Sequence, residues 1–319
     1  MLKLRFLLPL TFLLGITSIF IGVGNVSLSG LLAGRPEDWL LFTQSRLPRL
    51  LSILIAGASL SVSGLILQSL SRNRFVSPTT AGLEDSARFG VLLALIMLPA
   101  ATGWLQTSLA IATTFVGALI FMAILNTLKH RDTVFVPLVG MMFGNIISAI
   151  TVFFALQFDL LQNINAWLQG DFSSVLSGRY ETLFLSVPAL IFAYLYAQRF
   201  VLAGMGEDFA TNLGLNYKRT LNLGLALVSI VTAVVIVTVG SIPFLGLIVP
   251  NLVALYLGDN LKLTLPHTAV VGALLVLVCD IIGRVVIYPY EISVSLMMGV
   301  IGSAVFLAML LKRYRHGGI

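Results

Sequence analysis

FLSVPALIFAYLYAQRFVL (184–202), MGEDFATNLGLNYKRT (205–220) and LNLGLALVSIVTAVVIVTVG (221–240) follow one another almost without a gap. The first and last are each long enough to cross a hydrocarbon core of about 30 Å as a helix. The middle stretch is short and charged and does not belong in hydrocarbon. Two spans joined by a charged, helix-like island imply a chain that crosses the membrane repeatedly.

The rest of the sequence agrees. Hydrophobic residues occupy 58% of 319 positions and charged residues only 10%, with a mean hydropathy of +1.02, where soluble domains carry roughly 25% charged residues. Backbone amides in lipid must be satisfied within the element, and the apolar runs are continuous blocks without period-two alternation, so helices are favoured over a barrel. The expected fold is all-α, a single transmembrane domain over 1–319 with apolar runs at 4–24, 47–70, 80–99, 106–128, 134–156, 181–200, 221–241, 243–257, 263–286 and 291–311. The first follows Lys3 and Arg5 but is longer than a signal-peptide core and lacks a nearby small-x-small site, so it reads as a retained helix. The eighth, PFLGLIVPNLVALYL, is short and holds two prolines, which suggests a kinked or partial crossing. Cys279 is the only cysteine, which excludes an internal disulfide and leaves a small packing residue.

With the amino terminus inside, the inner segments hold thirteen of the nineteen Lys and Arg and the outer segments five, with Arg88 inside a span. The positive-inside rule then places both termini in the cytoplasm. Trp39, Trp104, Trp167, Tyr288 and Tyr290 fall beside outer ends, as an interfacial aromatic belt would. Topology accounts for the net charge of +6, and no nucleic-acid partner is implied.

The island faces the cytoplasm in this topology. Glu207 and Asp208 suit the first turn of a helix, Phe209 and Leu213 share one face, and Gly214 supplies a stop. A helix of two turns is marginal alone in water, so it either rests on headgroups or is a docking knob for a soluble partner. The chain has no G-x-x-x-x-G-K-[ST] loop and no Gly-Lys pair, so ATP-driven transport would need a motor on another polypeptide.

RLPRLLSILIAGASLSVSGLILQSLSRNRFVSPTTAG (46–82) resembles the signature of the iron-siderophore and vitamin B12 permease family of ABC importers. GEDFATNLGLNYKRT is similar to that family's cytoplasmic coupling segment, GSIPFLGLIVPNL to its G-x-I-x-F-x-G-L-I-x-P-H stretch, and EISVSLMMGVIGSAVFLAMLLKR to its closing span. The likeness covers nearly the whole chain in order. It implies a vitamin B12 permease-like bundle of about ten helices in the bacterial inner membrane, importing an iron(III)-siderophore. Residues Gly206, Glu207, Asp208, Phe209, Ala210, Leu213 and Gly214 would seat in a cleft on a separate ABC ATPase pair, which carries the ATP and Mg; this chain would bind no cofactor and catalyse no covalent step. The implied partners are a second permease, identical or sister, and a substrate-binding protein above. The V-S-P-T-T-A-G wording resembles the ferric-catecholate or petrobactin-like branch. Asn73-Arg74, Pro250-Asn251, Ser293, Ser295 and Ala304 depart from the family's usual residues.

Arg46 and Arg49 stand at the outer mouth of the second span, whose first turn Pro48 would begin, and Arg284 ends the ninth on the same side. Arginines at helix ends commonly snorkel to lipid phosphate; in the resembled family the matching arginines meet glutamates of the binding protein, and Arg46→Glu is expected to weaken that docking. Asp280, deep in the ninth span, would suit a proton-coupled transporter, but Arg284 four residues on offers an ion pair, as Arg88 does for Glu84 and Asp85. The histidines His130, His267 and His316 are scattered, so no metal site is expected and iron would arrive inside a chelator. Met141, Met142 and Asn145 on the fifth span, with Met297 and Met298 on the tenth, could line an adaptable path or simply pack. Vitamin B12 or haem as cargo, and a proton-driven carrier, are the alternatives.

Overall fold

The computed structural model describes residues 3–24, 26–98, 103–128, 134–258 and 260–315; Lys129, His130, Arg131 and His316, and the side chains of Trp167, Lys312, Arg313 and Arg315, lie outside that description. The described residues hold helices and no strand. In chain order these are α1 (Leu4–Phe20), α2 (Leu28–Leu32), α3 (Pro36–Leu41), α4 (Leu47–Ser71), α5 (Leu83–Met97), α6 (Gly103–Thr127), α7 (Phe135–Gln157), α8 (Leu161–Leu168), α9 (Ser186–Leu195), α10 (Ala197–Gly204), α11 (Glu207–Asn212), α12 (Tyr217–Val239), α13 (Leu245–Leu257), α14 (Leu261–Val285) and α15 (Val294–Arg315). Five helices are long and apolar enough to cross a membrane, and a bent pair makes a sixth. Three shorter apolar helices and α5 bring the apolar units to the ten expected.

α4 is the central helix. Small residues let other backbones approach it, as in membrane bundles generally. A Cβ placed on Gly57 would lie 2.8 Å from Ala273 Cα of α14, and one on Gly64 would lie 1.9 Å from the Gly246 carbonyl oxygen of α13. Several of its buried serines return their hydroxyls to their own helix, Ser59 to Ile55 O, Ser63 to Leu60 O and Ser71 to Leu67 O, whereas the hydroxyls of Ser52 and Ser61 are buried without a partner.

Two expectations needed correction, the start of the second span and the place of Pro48 in it, and the sixth span carries a bend. The second span begins earlier than residue 47: helix runs from Pro36 to Ser71, 36 residues, with a π turn at Phe42–Arg46. Pro48 therefore lies inside the helix and does not open it. Its ring nitrogen gives no hydrogen to Gln44 O, and the Ser177 amide donates to that carbonyl instead at 3.1 Å, which ties the 169–178 loop to the span. The sixth span is not straight: Glu181–Leu195 and Ala197–Gly204 meet at 64°. The bend turns Phe200 into the core, where it fills the space a side chain on Gly224 would need, and brings Gly204 within 2.7 Å (as a built Cβ) of Ser69 O.

The eighth span is indeed partial. α13 has 13 residues and α5 has 15, about 20 Å each at 1.5 Å per residue against a core of about 30 Å. Each follows a non-helical break, at 72–82 and 240–244, and begins at a left-handed residue, Gly82 (φ 72) and Phe244 (φ 64). Irregular backbone is tolerated at membrane depth only when buried in protein, and here the two breaks satisfy each other. Glu84, 1% exposed, accepts from Thr79 Oγ1 of the first break and Ser241 Oγ of the second, both at 2.6 Å. Gln68 donates to Gly246 O at 3.3 Å, and Asn251 to Arg74 O at 2.7 Å.

Candidate functional site

At the end of the molecule where α10 meets α12 stands α11, six residues long. Gly206 precedes it at φ 123, a backbone state that L side chains rarely adopt. Glu207 and Asp208 occupy the first turn, where acids favour the helix dipole. The far end closes with two bonds, Gly214 N–H to Thr211 O and Leu215 N–H to Ala210 O, both 2.9 Å, with Gly214 at φ 79. This is a Schellman cap, which satisfies the last carbonyls. Ala210 is buried as the foot of the helix, and the Arg72 guanidinium lies over Gly206. Caps, foot and guanidinium supply what a two-turn helix lacks alone. Phe209 and Leu213 are left 49% and 58% exposed. Beside them a cavity of about 410 Å³ is lined by Gln68, Arg72, Arg74, Met205 and Asn251 among others.

The opposite end holds Arg46, Arg49 and Arg284, and none of them is a surface arginine. They are 8%, 9% and 3% exposed. Arg46 donates to Ile21 O at 2.8 Å and Gly24 O at 2.9 Å. Arg284 donates to Ser18 O at 2.9 Å, Ile21 O at 2.7 Å, Ser18 Oγ and Asp280 Oδ2. Two guanidiniums thus cover the carboxyl end of α1, where unpaired carbonyls and the negative end of the dipole favour cations. Arg49 donates from Nε (3.1 Å) and Nη2 (2.7 Å) to Asp280 Oδ1 and from Nη1 (2.8 Å) to Glu291 Oε2.

The Asp280–Arg284 pair expected from spacing is present, but the spacing missed half of the cluster. Asp280 is shared with Arg49, 231 residues away, and Glu291 has no local partner that could have flagged it. Held by two arginines at a wholly buried site, Asp280 is committed as a structural counter-ion. Because Arg46 rests on carbonyls, Arg46→Glu would set a carboxylate against them and would report folding. The other intramembrane cluster matches its expectation, with Arg88 at 3.0 Å from Asp85 and 3.7 Å from Glu84.

The five residues considered for a path separate. Met141, Met142 and Asn145 lie on an exposed face of α7, a helix whose most apolar window is only 22% buried. It packs through the opposite stripe, where Gly140 and Gly144 touch the 80–82 backbone. Met297 is half-buried, and Met298 is sealed in the core with its sulfur 3.5 Å from Cys279 Sγ.

The described residues form an all-helical bundle with an exposed, capped helix at one end and a buried charge cluster at the other, the architecture of a multi-pass membrane protein. The chain matches the FecCD transport family over residues 10–312 and belongs to it. It is 54% identical over 311 residues, 98% of each chain, to the petrobactin import system permease protein YclN of Bacillus subtilis. It is 46% identical over 301 residues, 94% of this chain and 96% of the relative, to the ferric-anguibactin transport system permease protein FatD of Vibrio anguillarum. A solved inward-facing structure of an ABC transporter described as of the metal-chelate type superposes with a TM-score of 0.78 at 28% identity, covering 97% of this chain and 100% of that one.

Proposed function

We propose that this chain is the transmembrane subunit of an ATP-driven importer for an iron(III)-siderophore, of the petrobactin or catecholate class. Two such subunits, identical or sister, stand together in the bacterial cytoplasmic membrane with their termini inside. Each presents Phe209 and Leu213 to a cleft on a separate nucleotide-binding subunit, which carries ATP and Mg, and the cluster around Arg49 receives a substrate-binding protein outside. Met141, Met142 and Asn145 face the path or the partner permease, since a polar Asn near the middle of an apolar helix is costly against lipid. The observation that carries this reading is α11: a capped, glycine-bounded helix that spends its structure on holding two large apolar side chains out of the fold. The names of the relatives support the cargo class.

Radiolabelled iron uptake into cells, with a panel of ferric chelators, tests it. Uptake of one ferric siderophore that stops on ATP depletion and survives dissipation of the proton gradient is the expected result. Dependence on the proton gradient would favour a carrier mechanism, and competition only by vitamin B12 or haem would replace the cargo.

A further inference from the structure

A docking surface built on buried arginines poses a difficulty, because their donors are already engaged. Exposure within the cluster is graded. The side chains of Asp280 and Arg284 are 0% and 2% accessible, that of Arg49 11%, and that of Glu291 23%. Asp280 uses both oxygens, one on Arg49 and one on Arg284. Glu291 is held by one bond, from Nη1 of Arg49. Three guanidiniums face two carboxylates, so the cluster keeps one surplus positive charge. Glu291 also sits in a segment without regular structure, 286–293, pinned by Ile292 N–H to Gly283 O at 3.0 Å. Beside it Val286, Ile287, Tyr288 and Tyr290 are 52% to 76% exposed, so the charged anchor is flanked by apolar surface at the outer boundary of the membrane, where Tyr288 and Tyr290 belong to the aromatic belt.

We infer that Glu291 is a resident stand-in for a partner's carboxylate: on docking, an acidic side chain of the binding protein takes Arg49 Nη1, and Glu291 swings into water. This rests on the docking reading above and states how that surface is kept closed when empty. The exchange trades one charge-assisted hydrogen bond for another, and Asp280 holds the rest of the Arg49 fork in place throughout.

The test uses the full permease–ATPase complex in lipid nanodiscs and its cognate binding protein, with affinity measured at low and high salt. Glu291→Gln removes the competing charge while keeping the shape. It should tighten binding about five-fold, as expected for one partly exposed charge pair, and the gain should shrink at 0.5 M salt, where screening acts within about 4 Å. Affinity that is unchanged or weaker in Glu291→Gln overturns the exchange. Glu291→Ser carries the same expectation should Gln fail to assemble, and failure of both to assemble also overturns it, since a displaceable contact is not one the fold requires. The docking reading fails separately: wild-type affinity indifferent to salt and to Arg49→Gln would sink it, whatever Glu291 does.

Discussion

Truncating Phe209 to alanine should loosen the ATPase subunit without disturbing the permease. The ring is 49% exposed, and a phenylalanine carries about 150–250 Å² of surface, so about 100 Å² awaits a partner. At about 25 cal/mol per Å² that area represents about 2.5 kcal/mol, or about 2 kcal/mol after allowance for the Cβ that alanine keeps. The dissociation constant should therefore rise about 30-fold. Nanodisc-embedded permease titrated with fluorescent nucleotide-binding subunit gives that constant directly, with thermal unfolding of the permease as the control for folding. Leu32→Ala provides the comparison, since Leu32 is 82% exposed in a different helix and should leave affinity unchanged. If Phe209→Ala shifts binding by less than about three-fold while the Leu213→Ala variant is equally silent, α11 does not grip the motor and the coupling reading is wrong.

Two further outcomes follow from the packing. Gly64→Ala should yield little monodisperse protein on size exclusion, because the added methyl would meet the Gly246 carbonyl oxygen at 1.9 Å and backbone cannot step aside as a side chain can; a wild-type elution profile would show that the two helices pack more loosely than described. Ser241→Ala should lower stability by about 1.5–3 kcal/mol, the usual worth of a hydrogen bond to a charged group, and a double-mutant cycle with Glu84→Gln should give a coupling of at least about 0.5 kcal/mol. Additive effects in that cycle would mean that Glu84 does not join the two breaks.

How far the sequence reaches is best seen by comparing interactions of different range. The ten apolar runs were legible because hydrocarbon leaves a backbone few choices, and Asp280–Arg284 was legible because a helix places i and i+4 together. The α11 caps could also be read, since Gly206 and Gly214 bracket the acidic turn. Arg49 was placed on the surface for want of any local partner; its two carboxylates lie 231 and 242 residues away, and no periodicity reports on that. The same holds for Glu84, whose nearer partner Arg88 concealed the contact with Ser241, 157 residues on. The π turn was invisible for another reason: Pro48 signals a helix start equally well, and only the continuation of the helix back to Pro36 distinguishes the two.

These distant contacts converge on α4. Arg49, in its first turn, is the arginine that reaches the outermost carboxylate, and Arg72, the left-handed residue that ends it, covers Gly206 at the root of α11. The helix that carries them is 25 residues long, about 37 Å at 1.5 Å per residue, and is locked to α14 at Gly57 and to α13 at Gly64 by backbone contacts too close for a methyl group. A helix so held cannot absorb a displacement by bending locally; close-packed elements shift as units. α4 thus joins the root of α11 to the charge cluster through a single close-packed helix. Its close contacts follow from glycine and serine at the positions where larger residues would have kept its neighbours away: Gly57 faces Ala273, Gly64 faces Gly246, and Ser61 faces Gly272.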